Sequence, residues 1–255
     1  MRKRPATGLV DREDRQAELV EHLAELRTRI FRSAAYAAVG TTVCWFLYGR
    51  IFALLTAPVT KVLKESHKAT SFQMTSLTEG FMLHLQICVV AGLIVAAPLL
   101  TMEAWGFIAP ALTKRERRPI KWIAPMSIVL FVMGVSLCYY ILPVAVRWFV
   151  SYVPDNTEFR PFVSQNLLFI VKMLLAFGLA FELPIALMFL GKLGIINSRM
   201  MKIYWRQAVI ITAIVAAIAT PSNDAFSMLM LAIPMCILFV LSIYLVKIIE
   251  PKDDI

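Results

Sequence analysis

The sequence predicts an all-α integral membrane protein with six transmembrane helices and both termini on the cytoplasmic side. Three observations carry that class. The 255 residues are 59% hydrophobic, with a mean hydropathy of +0.72, whereas soluble domains are roughly 45–50% apolar. Uncharged runs cover 33–49, 80–102, 122–146, 173–191 (interrupted only by Glu182), 207–223 and 225–246. Stretches of about 20 apolar residues cross a bilayer as helices, because a helix satisfies its own backbone polar groups. The basic residues are also lopsided. Of 26 Lys and Arg, 19 fall in 1–32, 114–121, 192–206 and 247–255, segments that six spans would place on one side, and positive connections stay in the cytoplasm.

Taken in order, the N-terminus "MRKRPATGLVDREDRQAELVEHLAEL" has no apolar signal-peptide core. Its acids Asp11, Glu13, Asp14, Glu18 and Glu21 argue against a transit peptide, so direct insertion into a bacterial-type inner membrane is expected. Residues 15–30 read as an amphipathic helix, with Leu19, Leu23, Leu26 and Ile30 at helical spacing. The first external loop, 50–78, contains "LTAPVTKVLKESHK", which suits a short surface helix. Span two carries Pro98 and closes in "EAWGFIAPAL", where Trp105 fits a membrane interface. "TKRERRPIK" turns the chain into span three. A second external loop is expected at 147–165, and "KLGIINSRMMKIYWR" joins spans four and five.

Span five is short. Its apolar stretch from 208 to 220 holds 13 residues, roughly 20 Å at about 1.5 Å each against a hydrocarbon core of roughly 30 Å. Either neighbours bury it, or it thins the bilayer locally. No internal repeat, low-complexity segment or linker is present. The reading is therefore a single domain over 1–255, with 1–32 a cytoplasmic amphipathic segment and about 33–248 the six spans.

Catalysis finds little support. There is no GxxxxGK[ST] phosphate loop, no HExxH zinc site and no GxSxG elbow. Cys44, Cys88, Cys138 and Cys236 lie singly in four different spans, without metal spacing, and read as small packing residues. No cofactor and no metal are expected. Basic residues interleaved with aromatics on a soluble face are also missing, so the +9 net charge reflects topology rather than nucleic-acid binding. Any work done must draw on a partner or on the membrane potential, worth about 2.3 kcal/mol per charge per 100 mV.

Three acids bear on function. Glu25 lies four residues before Arg29, so an ordinary helical ion pair worth about 0.3–0.5 kcal/mol is its plain reading. Glu116 stands among Lys114, Arg115, Arg117 and Arg118, as in a solvated charge cluster. Glu182 is different: nine uncharged residues flank it on each side. A charge at mid-membrane costs about 2.5–3.5 kcal/mol on insertion scales, so intramembrane acids face a cavity or a partner. His84 and Gln86 of span two are candidates to reach it.

Four blocks then occur in order: "EHLAELRTRI" (21–30), "APLLTMEAWGFIAPALTKRERR" (97–118), "FGLAFELPIALMFLGKLGII" (177–196) and "ATPSNDAFSMLMLAIPMCILF" (219–239). Together they resemble TatC, the polytopic subunit of the twin-arginine protein translocase. The resemblance implies a cupped, glove-like bundle with short helices five and six. It also implies a receptor for signal peptides of folded cargo that carry paired arginines. TatA and TatB would be its partners, with further copies of itself, in a lipid bilayer energised by the proton-motive force. By position, Glu25 and Arg27 match the family's N-terminal recognition segment, and Phe107 and Glu116 its first cytoplasmic loop. Glu182 matches the intramembrane glutamate and Asp224 the aspartate that follows span five.

The chain also departs from the pattern. Val240 follows Leu238 and Phe239 where the family often has glutamate, Met228 follows Ser227 in place of glutamine, and the turn "TPSNDAFS" is one residue longer than "TPPDxFS". If Glu25 and Glu116 form one site, each carboxylate can hold one guanidinium through two parallel hydrogen bonds, a geometry lysine lacks. The alternative from another class, a proton-coupled secondary transporter with Glu182 as coupling carboxylate, calls for repeat halves that this sequence does not show.

Overall fold

The computed structural model describes residues 7–66, 72–108, 120–154, 160–220 and 224–249. Regular structure among them is helical, apart from one isolated bridge between Gln73 and Phe162. In chain order the helices are α1 (Thr7–Phe46), α2 (Tyr48–Glu65), α3 (Glu79–Ile108), α4 (Ile120–Ser151) and α5 (Val163–Ala180). They continue with α6 (Leu183–Lys192), α7 (Ser198–Ile203), α8 (Trp205–Ala219) and α9 (Ala225–Ile249). Among the described residues, four stretches are long and apolar enough to cross a membrane: α3, α4, α5 with α6, and α9. A fifth is α1, bent by 79° into α2, and α8 is a shorter apolar helix.

α1 is one continuous helix of 40 residues, roughly 60 Å long at about 1.5 Å per residue and hence about twice the hydrocarbon thickness. The amphipathic segment and the first span are therefore one rod. At Leu47 the chain turns sharply, and α2 lays Leu55, Val59, Val62 and Leu63 onto the bundle. This is the surface helix expected in the first loop. Pro58 sits inside it. Proline has no N–H, so the carbonyl four residues back, that of Leu54, has no helical donor. The Tyr139 hydroxyl of α4 donates to that carbonyl at 3.1 Å.

α1 and α3 pack antiparallel in a single register. Arg29 pairs with Glu103, Gly40 faces Gly92, and Tyr48, just past the bend, stacks on His84 with ring centroids 3.7 Å apart. From Arg29 to Gly40 on α1 and from Glu103 to Gly92 on α3 the step is the same 11 residues, close to three turns, so these two contacts share one face. At the crossing a Cβ on Gly40 would lie 2.6 Å from the Gly92 carbonyl oxygen. Only two glycines let the backbones meet there, the small-residue mode of packing in membranes.

The largest core joins α2, α3, α4, α5 and the start of α9, around Phe177, Leu167, Ile170, Ile87 and Leu142. At its outer edge the Gln73 N–H donates to the Pro161 carbonyl and the Val163 N–H to the Gln73 carbonyl, each at 3.1 Å. Glu79 accepts from the hydroxyls of Thr75 and Ser164, tying the start of α3 to that of α5. Two boundaries differ from expectation. α4 continues to Ser151 and α5 begins at Val163, so the second loop is shorter than 147–165. Lys172, expected at the edge of span four, consequently lies nine residues inside α5. Trp105 also differs. It is buried against Ile185 and against Phe189, with centroids 5.0 Å apart, instead of facing an interface, because α6 covers that face of α3.

Candidate functional site

Two of the acids that the sequence singles out, Glu25 and Glu182, each sit in a cluster of polar side chains. The first lies between α1 and α3. Arg29 donates from Nε and Nη2 to Glu25 Oε1, at 3.0 and 2.7 Å. It also donates from Nη1 to Glu103 Oε2 at 3.0 Å and to the Glu103 carbonyl at 3.4 Å. The guanidinium lies over Gly106, where a Cβ would collide with it. Exposure of the three side chains is 22% for Arg29, 30% for Glu25 and 12% for Glu103. Two carboxylates meet one guanidinium in a half-buried setting, where ionic contacts are less screened than at a free surface.

Beside this trio runs a groove of about 450 Å³ whose wall includes Leu26, Ile30, Leu100 and Phe107. Glu25, Arg29, Glu103 and Phe107 are thus brought together. Arg27 is not; it lies on the exposed side of α1, its guanidinium carbon 5.7 Å from the Phe31 ring centroid. Glu116 falls outside the described residues, in the segment that follows Phe107 and Ile108. Glu103 went unnoticed in the sequence. A signal was there: an acid closing a long apolar run, one turn before Phe107 on the same helix face.

The second cluster is built on a helix break. Pro184 has no N–H, and its ring would strike the carbonyl of Ala180 in a continuous helix, so α5 ends there and α6 restarts with Pro184 in its first turn. Phe181 and Glu182 form the joint, and the Glu182 carbonyl accepts from the Ala186 N–H at 3.0 Å. The Ser127 hydroxyl of α4, itself fully buried, donates to Glu182 Oε2. Oε1 is buried without a hydrogen-bond partner among the described residues. Buried polar atoms rarely go unpaired, so this oxygen calls for a donor. His84 and Gln86 do not supply it. His84 stacks on Tyr48 and lies 4.2 Å from the Trp45 ring centroid, while Gln86 is exposed on α3. Ser127 carried no sequence signal, since one serine in an apolar helix looks like any other.

Asp224 immediately precedes α9. Its Oδ1 accepts from the Ser227 N–H at 2.7 Å, an N-cap. It lines a second cavity of about 560 Å³ at the end of the bundle away from Arg29, with Lys172, Gln165 and Asn166. Among the described residues, no group of three or more His, Cys, Asp or Glu is placed to hold a metal ion.

Comparison with known proteins decides the family. Residues 21–234 match the family model described as TatC, Sec-independent protein translocase protein. The chain belongs to the TatC family. It is 34% identical over 246 residues to the Sec-independent protein translocase protein TatC of Desulforapulum autotrophicum, covering 96% of this chain and 90% of that one. To the TatC of Xylanimonas cellulosilytica it is 33% identical over 236 residues, with 92% and 86% covered. A crystal structure of the twin arginine translocase receptor TatC superposes with a TM-score of 0.79 at 29% identity, covering 89% of this chain and 99% of that one. The all-helical bundle is therefore a TatC fold, that of a multi-pass membrane component of a protein translocase. The family block around Trp105 and Phe107 sits on α3, and the "FELP" block forms the joint at Glu182.

Proposed function

We propose that this chain is the receptor and core channel-forming subunit of a twin-arginine translocation system in a bacterial inner membrane, with both termini cytoplasmic. It binds Arg-Arg signal peptides and, with TatA and TatB and other copies of itself, moves folded proteins using the proton-motive force. The observation that carries the reading is the Glu25–Arg29–Glu103 trio beside Phe107, placed where the chain enters the segment containing Glu116. A peptide guanidinium must compete with Arg29 for Glu25. Because Arg29 holds two carboxylates, Glu103 can keep it neutralised while Glu25 turns to the peptide. Glu116 takes the second arginine, while Arg27 and the basic residues around Glu116 repel peptides that lack the paired fit.

Glu182 is proposed to act elsewhere in the same cycle. With Oε2 held by Ser127, its Oε1 is oriented for a donor from a partner helix. The test is photo-crosslinking of an Arg-Arg signal peptide to probes at positions 25 and 107, with binding measured for the Glu25→Ala, Glu116→Ala double variant. Crosslinks at both positions and loss of binding in the double variant are expected. Normal binding by the double variant would overturn the site.

A further inference from the structure

The connection between α6 and α8 differs from the other basic segments of the chain. Positions 183–223 contain Lys192, Arg199, Lys202 and Arg206 and no Asp or Glu, whereas 1–32, 114–121 and 247–255 each mix both signs. Among the described residues none of these four cations is in an ion pair. Arg199, Lys202 and Arg206 are exposed, and their spacing of three and then four residues sets them on one helix face. The joint at Tyr204 keeps that face. The Tyr204 N–H donates to the Met200 carbonyl and the Ala208 N–H to the Tyr204 carbonyl, each at 3.0 Å.

Apolar side chains are interleaved with the charges. Ile203 is 65% exposed and Tyr204 and Trp205 51% each, while the Arg206 guanidinium carbon lies 5.7 Å from the Trp205 ring centroid. The opposite side of the same turn is fixed, because Met201 is buried against Phe239, Ile243 and Val246 near the end of α9. Gly191, at the end of α6, approaches Val246 so closely that a Cβ would lie 2.7 Å from its Cγ1. The ends of α6 and α9 and the start of α8 therefore share one level. For spanning helices that level is the membrane interface, where aromatic rings and the stems of Arg and Lys settle.

We infer that this face holds an anionic phospholipid. Its phosphate lies among Arg199, Lys202 and Arg206, and its chains run along the exposed Ile203 and Ile210 beside α8. A cluster of cations at an interface, with no carboxylate in the segment that carries them, favours a headgroup of net negative charge. A zwitterionic lipid would bring an ammonium that no acid of this segment answers. An acidic protein segment would match the charge, but not the isoleucine and the aromatic rings set between the cations at bilayer level.

Native mass spectrometry of the full chain in detergent, titrated with phosphatidylglycerol or phosphatidylethanolamine, tests this. The wild type should retain phosphatidylglycerol more tightly. Arg199→Gln, Lys202→Gln and Arg206→Gln should each weaken that retention about fivefold, the scale of one cation at an anionic surface, and leave phosphatidylethanolamine unchanged. Lys202→Arg should keep the wild-type preference. Arg50→Gln and Lys64→Gln, at two exposed cations of α2, serve as controls and should change nothing. Equal retention of the two lipids by the wild type, or an equal loss of phosphatidylglycerol in the α2 controls, would overturn the site. So would polyglutamate binding that the three variants lose while they keep phosphatidylglycerol, a result that would assign the face to an acidic protein. No signal peptide and no transport enter the measurement, so the lipid site stands or falls apart from the receptor role.

Discussion

Arg29 of α1 and Glu103 of α3, 74 positions apart, meet at 3.0 Å while Arg29 also holds Glu25 one turn away on its own helix. The pair occupies the same register as the Gly40–Gly92 contact. Glycines that bring the two backbones together farther along also set the height at which this guanidinium finds its second carboxylate.

The long-range half of that trio should be energetically real. A double-mutant cycle on Arg29→Gln and Glu103→Gln is expected to give a coupling of about 0.5–3 kcal/mol, as for residues in one ionic network. Thermal unfolding in detergent reads it. If Glu103 frees Glu25 for the peptide, Glu103→Gln should also weaken signal-peptide binding, because Arg29 then competes harder for Glu25. Additive stabilities together with unchanged binding would count against the exchange.

The Ser127–Glu182 contact predicts a split between two variants. Ser127→Ala strips the hydroxyl and leaves both carboxyl oxygens without a donor among the described residues, at about 1–3 kcal/mol. Ser127→Thr retains the donor and should cost less. Both variants should insert, and the alanine variant should lose crosslinking from Glu182 neighbours to TatA or TatB. Full crosslinking and transport in Ser127→Ala would show that the serine does not orient the acid.

Tyr139 and Pro58 form a compensating pair. Tyr139→Phe should cost about 1 kcal/mol, the net worth of a hydrogen bond. In a Pro58→Ala background the new N–H can reach the Leu54 carbonyl, so Tyr139→Phe should there cost little. Equal costs in both backgrounds would mean that the hydroxyl answers to water and not to the orphaned carbonyl.

α8 spans 15 residues, about 22 Å against a core of roughly 30 Å. It buries only Thr212 and Ala216 and exposes Ile210, Ile211, Ile214 and Ile218. Burial within this chain therefore does not explain its shortness, which favours local thinning of the bilayer. Inserting four or five leucines should leave the protein assembled but impair transport. Full transport with the lengthened helix would remove thinning as a requirement.

The amino-acid sequence alone determined whatever depends on near neighbours. Apolar run lengths set the class, basic residues set the expected orientation, and Pro184 set the joint beside Glu182. The i,i+4 spacing of Glu25 and Arg29 specified their ion pair, because one helical turn places them together whatever surrounds the helix. The tertiary structure decided every partner across helices. Ser127 for Glu182, Glu103 for Arg29, Tyr139 for the Leu54 carbonyl and Phe189 for Trp105 each depend on how two helices rotate and slide against one another. α3 and α9 are apolar nearly all round, so no amphipathic stripe in the sequence states which face turns inward. Helix rotation is fixed instead by close-packed contacts such as Gly40 on Gly92, which exist only once both backbones are in place.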